Sequence, residues 1–225
     1  AVFLIHANRG SKAARELLRA FAGILVTDRW VGYSYWRTRL RQICWAHLKR
    51  DFQGFVDRGG AGKRIGGALL VEFGRMFALW KRVRDGTLKR SSFRVYLGPI
   101  RHRVEALLAK GARCRDRKVA GKCREILALA PALWTFARVD GVEPTNNAAE
   151  HAVRPAVLWR KNSFGTHSPK GSRFAERMLT VSVTLHLQRR NVTHFLVEAC
   201  HAALNHTAPP SLLPPAASAA AKEAA

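Results

Sequence analysis

The sequence predicts a mixed α/β fold interrupted by a helical insertion, on three observations. Short β-rich runs alternate with helical patterns over the first 55 residues. From about 64 to 137, apolar residues recur only at helical spacing, without a strand signal. Hydrophobic residues make up 48 % of 225, enough for a sizeable core and too many for a disordered polycation.

In chain order, Val2–His6 is a β-rich run that reads as the last part of a strand. Asn8-Arg9-Gly10 reads as a turn, with Ser11 as N-cap of a helix through Phe21 in which Ala14, Leu17, Leu18 and Phe21 share a face. Gly23–Asp28 is a short buried-type strand ending at an acid. After an aromatic turn from Trp30 to Trp36, Arg41–Cys44 reads as another short strand and Trp45–Phe55 as a helix.

The next stretch predicts three or four amphipathic helices with basic outer faces. Leu69, Leu70, Phe73, Phe77 and Trp80 form one apolar face, Val104, Leu107 and Leu108 another, and Ile126, Leu127, Leu129 and Leu133 continue the pattern. Turns are expected at Asp85-Gly86, Gly98-Pro99 and Gly111. The chain then turns at Gly141–Thr145 and starts a helix at Asn146 or Asn147. Residues 162–173 read as a Gly/Ser-rich loop, Phe174 to about Arg189 as a long helix, and Val192–Leu204 as a last one. The division expected is a core in two parts, 1–55 and 140–206, a helical insertion over 56–139, and a disordered Ala/Pro-rich tail over 207–225.

Charge narrows the partners. With 39 Lys and Arg against 15 Asp and Glu, the formal charge is +24 and the pI about 11.4, which points to a polyanion and first to nucleic acid. No apolar run approaches the roughly 18 to 20 residues of a membrane span. The N-terminus lacks the basic region and cleavage pattern of a signal peptide. Cys44, Cys114, Cys123 and Cys200 are far apart with no CxxC pair, which argues against a disulfide scaffold or Cys-based zinc site and for a reducing compartment. A chain beginning with Ala is expected to be an excerpt of a longer one.

Two acids are candidates for chemistry. Asp28, ending an apolar strand, reads either as a turn-starting residue or as a metal ligand at a sheet's open edge. Glu150 lies three residues after Asn147, the spacing of a capping box, and equally on a face where a carboxylate is presented to metal. Hydrolysis or transfer at a DNA phosphodiester needs charge neutralisation in the transition state and a more acidic attacking water or 3′-hydroxyl. Two divalent ions about 3.5 to 4 Å apart do both, and hard cations take oxygen ligands.

Cations surround the second acid. Arg154, Arg160, Lys161, Lys170, Arg173 and Arg177, with few acids among them, read as phosphate contacts, and Ser163, Thr166 and Ser168 as added hydroxyl donors. A second set (Arg37, Arg39, Arg41, Lys49, Arg50) flanks the second strand, and Arg113–Lys122 is a third cationic stretch. Trp36 and Trp45 read as core more readily than as base-stacking platforms. His47 is a candidate ligand or acid/base group, although a lone helical His is more often structural; Cys44 reads as a buried thiol. No base-reading motif is present, so sequence-specific recognition is expected of other domains.

Three segments are recognisable together: TDRWVGY, RQICWAHLKRDF, and EPTNNAAEHAVRPAVLWRKNSFGTHSPKGSRFAERMLTVSVTLHLQRRNV. They resemble the transposases of bacterial insertion sequence 66, a DDE family with a ribonuclease-H-like catalytic core. The resemblance implies an N-terminally truncated ribonuclease-H-like (DDE transposase) α/β core with an all-helical insertion. It matches the family's second acid to Asp28 and its final glutamate to Glu150, as ligands of Mg²⁺ or Mn²⁺. His151 stands where the family usually has a basic residue, and no first-Asp motif lies upstream of Val2–His6. Asp51 and Asp57 fall within or after a helix and do not replace it.

The expected function is therefore Mg²⁺-dependent cleavage and strand transfer of DNA in transposition, inactive in this polypeptide alone because it carries two of three carboxylates. The partners implied are DNA (element ends and target), a homo-oligomer assembled on it and accessory element-encoded proteins, with no membrane and a cytoplasmic, nucleoid-associated location. The competing readings are a non-enzymatic basic DNA-binding protein or degenerate transposase remnant, and a structure-specific nuclease.

Overall fold

The computed structural model describes residues 1–214; residues 215–225, the last part of the tail expected to be disordered, lie outside the described residues. It divides into two compact units, one spanning Gly10–Ala149 and one joining Ala1–Arg9 to the chain from Glu150 onward.

The first unit opens with α1 (Ser11–Leu18), then β1 (Leu25–Thr27) and β2 (Arg41–Ile43), joined through two 3-10 turns. The two strands pair in parallel, Leu25 opposite Arg41 and Thr27 opposite Ile43. Helices follow in succession: α2 (Trp45–Asp57), α3 (Gly60–Arg84), α4 (Arg90–Ala112), α5 (Arg117–Ala128) and the short α6 (Ala130–Leu133) and α7 (Thr135–Arg138). Their apolar stripes meet in one core: Trp45, Leu48 and Phe52 of α2, Leu69, Met76 and Trp80 of α3, Phe93, Val104 and Leu108 of α4, and Ile126 of α5. Helix α2 packs on α3, α3 on α4 and α4 on α5.

This architecture corrects the expected fold class. The chain is not an α/β ribonuclease-H-like core: 67 % of it is helical, and the only strands among the described residues are two of three residues each. Two three-residue strands bury too little to organise a domain. The apolar stripes of α2 to α5, together far longer, do so instead, and the helices expected as an insertion are the core itself. Pro99 lies inside α4 rather than at a turn, because its solvent face is where a carbonyl freed by the missing N–H reaches water, while Leu97 and Ile100 stay buried on the other face.

Close helix packing rests on glycines without room for a side chain. A Cβ on Gly66 would stand 2.5 Å from the Phe52 carbonyl oxygen, and one on Gly111 2.5 Å from Cys123 Sγ. Where β2 meets this core, fully buried Gln42 donates from Nε2 to the carbonyls of Ile43 (2.7 Å) and Leu133 (3.1 Å), and its Oε1 accepts from the Phe136 amide (2.8 Å). Thr135 Oγ1 donates to the Arg41 carbonyl at 2.6 Å.

The second unit comprises α8 (Asn147–Ser163, its first turn beginning in the other unit), α9 (Pro169–Leu187) and α10 (Val192–Leu204), with α9 packed on α10. The expected strand at Val2–His6 does not form. The N-terminal stretch bonds to a helix instead: the Ala1 ammonium donates to Thr184 Oγ1 (3.0 Å), the Phe3 amide to Thr180 Oγ1 (3.1 Å) and the Ile5 amide to Glu176 Oε1 (2.6 Å). Two extended residues advance about 6.6 Å, and four helical residues about 6 Å, so alternate amides meet side chains one turn apart. Beyond α10, Gln188 Nε2 donates to the Leu212 carbonyl (2.9 Å) and Arg190 to that of Ser211 (3.0 Å).

Two measurements check this packing. Gly66→Ala is expected to cost about 2 to 3 kcal/mol in urea unfolding through overpacking against backbone. Gly67→Ala, whose Cβ meets nothing within 4 Å, is expected to gain about 0.5 to 1 kcal/mol from helix propensity. The second concerns Asp116, which caps α5 by accepting from Lys118 N and Val119 N and pairs with Arg58 at 2.8 Å. The Arg58 guanidinium first, then the amides, holds its carboxyl below the usual range. A depressed folded pKa stabilises above the unfolded value, about 3.9, and that contribution is lost as pH falls through the folded pKa. The stability difference between wild type and Asp116→Asn, which retains the cap, is expected to be full near neutral pH and to close below about pH 4.

Candidate functional site

Asp28 directly follows β1. The ladder runs on past the strands, with Cys44 N donating to the Thr27 carbonyl at 2.8 Å, so Asp28 sits at the C-terminal edge of the parallel pair. It is half-buried, and its Oδ1 accepts from the Trp30 amide at 2.9 Å. Both readings of the residue therefore have a basis: it starts a turn, and it stands where strand ends present side chains.

The group beneath it is Arg41, from the first position of β2. Only 3 % exposed, Arg41 donates from Nη2 to Thr27 Oγ1 and to the Asp28 carbonyl, both at 3.4 Å. Burial lowers its pKa, and the negative charge of Asp28 opposes that shift. Within the cationic set flanking β2, Arg41 is interior. An Arg inside a buried parallel strand is the sequence signal that points to an acid nearby. Arg37, Arg39, Lys49 and Arg50 of that set are exposed.

The neighbouring acids are engaged elsewhere. Arg29 pairs with Asp51, which also holds Lys122 Nζ at 2.9 Å, and Gln53 Nε2 donates to Asp57 at 2.8 Å. Trp45 is fully buried against Trp134, its ring centroid 4.9 Å away, so it is core. Cys44 is buried as expected, and burial pushes the Cys123 thiol up to about 11, which removes it as a nucleophile at neutral pH.

The opening of α8 is tied to the same strand end. Trp45 N donates to the Pro144 carbonyl at 2.9 Å, and the Asn146 amide reaches Cys44 Sγ at 3.5 Å. Asn146 Oδ1 is buried without a hydrogen-bond partner among the described residues. An open cleft lined by Trp80, Lys81, Arg84, Glu143, Thr145 and Asn147 lies beside this segment. The helix starts at Asn147, so Asn147 is inside the first turn, one place later than the capping-box reading needs. Glu150 lies in that first turn, on a helix with no buried residue.

All six cations singled out around Glu150 are exposed: Arg154, Arg160 and Lys161 on α8, and Lys170, Arg173 and Arg177 on α9. The hydroxyls between the helices differ from expectation, because they build the turn. Ser163 Oγ donates to the Trp159 carbonyl (2.7 Å), Thr166 and Ser172 share a hydrogen bond (2.7 Å), and Ser168 Oγ caps α9 by accepting from Gly171 N (3.0 Å). Among the described residues, no three His, Cys, Asp or Glu side chains come together as a metal-ligand group.

A protein-family model described as "Transposase IS66 family" matches residues 1–174, a range holding both Asp28 and Glu150. The chain is similar to a curated protein of Sinorhizobium fredii named "Uncharacterized protein y4qI", 25 % identical over 185 residues. That match covers 74 % of this chain and 33 % of the relative, so the chain spans about a third of its length. No solved structure matches the chain.

The Asp28–Arg41 contact gives the site its own test. Asp28→Asn keeps the acceptor for the Trp30 amide and removes only the charge. Its cost in urea unfolding is expected to be about 1 kcal/mol, because buried Arg41 loses its compensating anion. In a cycle with Arg41→Met, the coupling is expected to be about 1 to 2 kcal/mol.

Proposed function

The chain belongs to the IS66 family of transposases, and from that premise we propose that it is part of the catalytic region that cuts and joins DNA in the movement of a mobile element. Asp28 and Glu150 are two of the acids it contributes to a divalent-metal centre, Mg²⁺ or Mn²⁺. One observation carries this reading: the family match spans both acids, and the first of them stands at the open end of a parallel strand pair.

Carboxylate oxygens are the donors a hard cation takes. Two acids do not make a ligand set, and the described residues bring no three such donors together. No catalytic step through a metal follows from this chain alone. Its own residues do two things. Arg41 fixes the strand end that carries Asp28, and the six exposed cations of α8 and α9 hold a DNA backbone through phosphate contacts. A protein acting on DNA in a bacterial cell works in the cytoplasm, at the nucleoid; no described helix is long and apolar enough to cross a membrane. The same lack of a three-donor group supports a second reading, a remnant that binds DNA without cutting it.

Incubated with duplex DNA and Mn²⁺, this polypeptide is expected to yield neither nicked nor joined product, while binding DNA with strongly salt-dependent affinity. Strand transfer abolished by Asp28→Ala would show that its acids suffice and overturn the incomplete set. Replacing Arg154, Arg160 and Lys161 by Ala is expected to weaken DNA binding at least about tenfold at 100 mM salt and to lower the slope of log affinity against log salt by about 3.

A further inference from the structure

The helical unit gathers a second dense set of cations far along the chain from α8. Four helix ends meet there: the last turn of α2, the first turn of α3, the last turn of α4 and the first turn of α5. The packing shows it. A Cβ on Gly62 of α3 would stand 2.6 Å from the Phe55 carbonyl of α2 and 3.3 Å from Val119 of α5. One on Gly111 of α4 would stand 2.5 Å from Cys123 of α5 and 3.3 Å from Ile65 of α3. Arg58, just past α2, pairs with Asp116, the cap of α5, and Arg124 Nη1 donates to the Ala112 carbonyl at 3.0 Å.

Residues 57–64 and 110–118 hold eight Lys and Arg against two acids, Asp57 and Asp116. Both acids are already engaged, Asp57 by Gln53 and Asp116 by Arg58 and the α5 amides. Lys63, Arg64, Lys110, Arg113, Arg115 and Lys118 are exposed. Between α2 and α3, Gly59 and Gly60 take positive φ (75° and 50°), and an added Cβ at either would meet nothing within 4 Å, so their backbone is open to a close ligand. The opposite end of α3 and α4 differs: residues 81–94 and 140–143 carry six cations but three acids, Asp85, Asp140 and Glu143.

We infer that this four-helix end is a second DNA-binding surface, which holds a duplex by its phosphates and without reading bases. It rests on the reading of the chain as a DNA-handling protein, and adds a contact carried by the other compact unit than Glu150 and its cations. Four helix ends, each about 10 Å across, present a face at least about 20 Å wide. Over 20 Å a duplex displays about a dozen phosphate charges, at one per about 1.7 Å. Cations crowded on one face, with only two engaged acids among eight of them, repel one another, and a polyanion relieves that repulsion.

The test uses the full chain and a duplex of about 30 base pairs of arbitrary sequence, titrated between 50 and 200 mM salt. Lys63→Ala, Arg113→Ala, Arg115→Ala and Lys118→Ala combined are expected to weaken binding at least about tenfold and to lower the salt slope by about 3. Removing Arg82, Arg84, Lys89 and Arg94 at the opposite end is expected to change affinity less than about threefold, because acids already offset that field. Arg113→Lys with Arg115→Lys is expected to bind as wild type, which separates lost charge from lost fold. Equal losses from the two ends would reduce the surface to the attraction of the net charge, and no loss from the first set would remove it; either overturns the inference. Tight binding of poly-glutamate that the first set abolishes, with DNA binding unchanged, assigns the face to an acidic protein and overturns it too. The α8 variants tested above act separately: if they bind normally while the four-helix end loses affinity, the proposed Glu150-side contacts fail and this surface stands.

Discussion

The junction Cys44–Trp45, between β2 and α2, is the constraint on which the rest of the Gly10–Ala149 unit depends. Neither of its two amides is satisfied within its own element. One bonds to the Thr27 carbonyl and the other to the Pro144 carbonyl. The Trp45 indole reaches a third segment, donating to the Leu133 carbonyl at 2.8 Å. A strand end, the approach to α8 and the α6 turn are thus held by one buried pair of residues. A buried backbone donor left unmet costs about 1 to 3 kcal/mol, so these segments are not free to take other positions independently.

That junction places Asp28 and the Pro144–Asn147 segment while being itself part of the helical core. Gln42, two residues earlier in β2, does the same for α6 and α7 through two hydrogen bonds of its side-chain amide. The strands are short because they serve as an anchor: their hydrogen-bonded ends fix two carbonyls and an arginine, and the burial that stabilises the unit comes from α2 to α5. The helices' outer faces carry most of the positive charge.

Much of this could be read locally. The stripes at Leu69–Trp80 and Val104–Leu108, the helix Val192–Leu204 and the strand ending at Asp28 follow from period and end signals within a few residues. Asp28 and the exposed cations beside Glu150 were legible because an acid ending an apolar run, or basic residues without acids, is a local pattern. Arg41 was not, since its charge reads as exposed until the Asp28 carbonyl and Thr27 hydroxyl are known to lie above it. Ser163, Thr166 and Ser168 read as available donors only until the α8–α9 turn closes on them.

Most helices and the +24 charge follow from the sequence alone, because propensity, periodicity and composition act over short stretches; the family follows from the resemblance of particular segments. Which element organises the fold depends on contacts between segments distant in sequence. Val2–His6 has the β-rich composition of a strand, yet its Phe3 and Ile5 amides pair with Thr180 and Glu176 on a helix. An extended backbone needs partners about 6 to 7 Å apart and is indifferent to whether a strand or a helix face supplies them. Which one does so is settled by chain far away in sequence, and this is why a two-stranded ladder on a helical core could be read as a sheet with helices inserted.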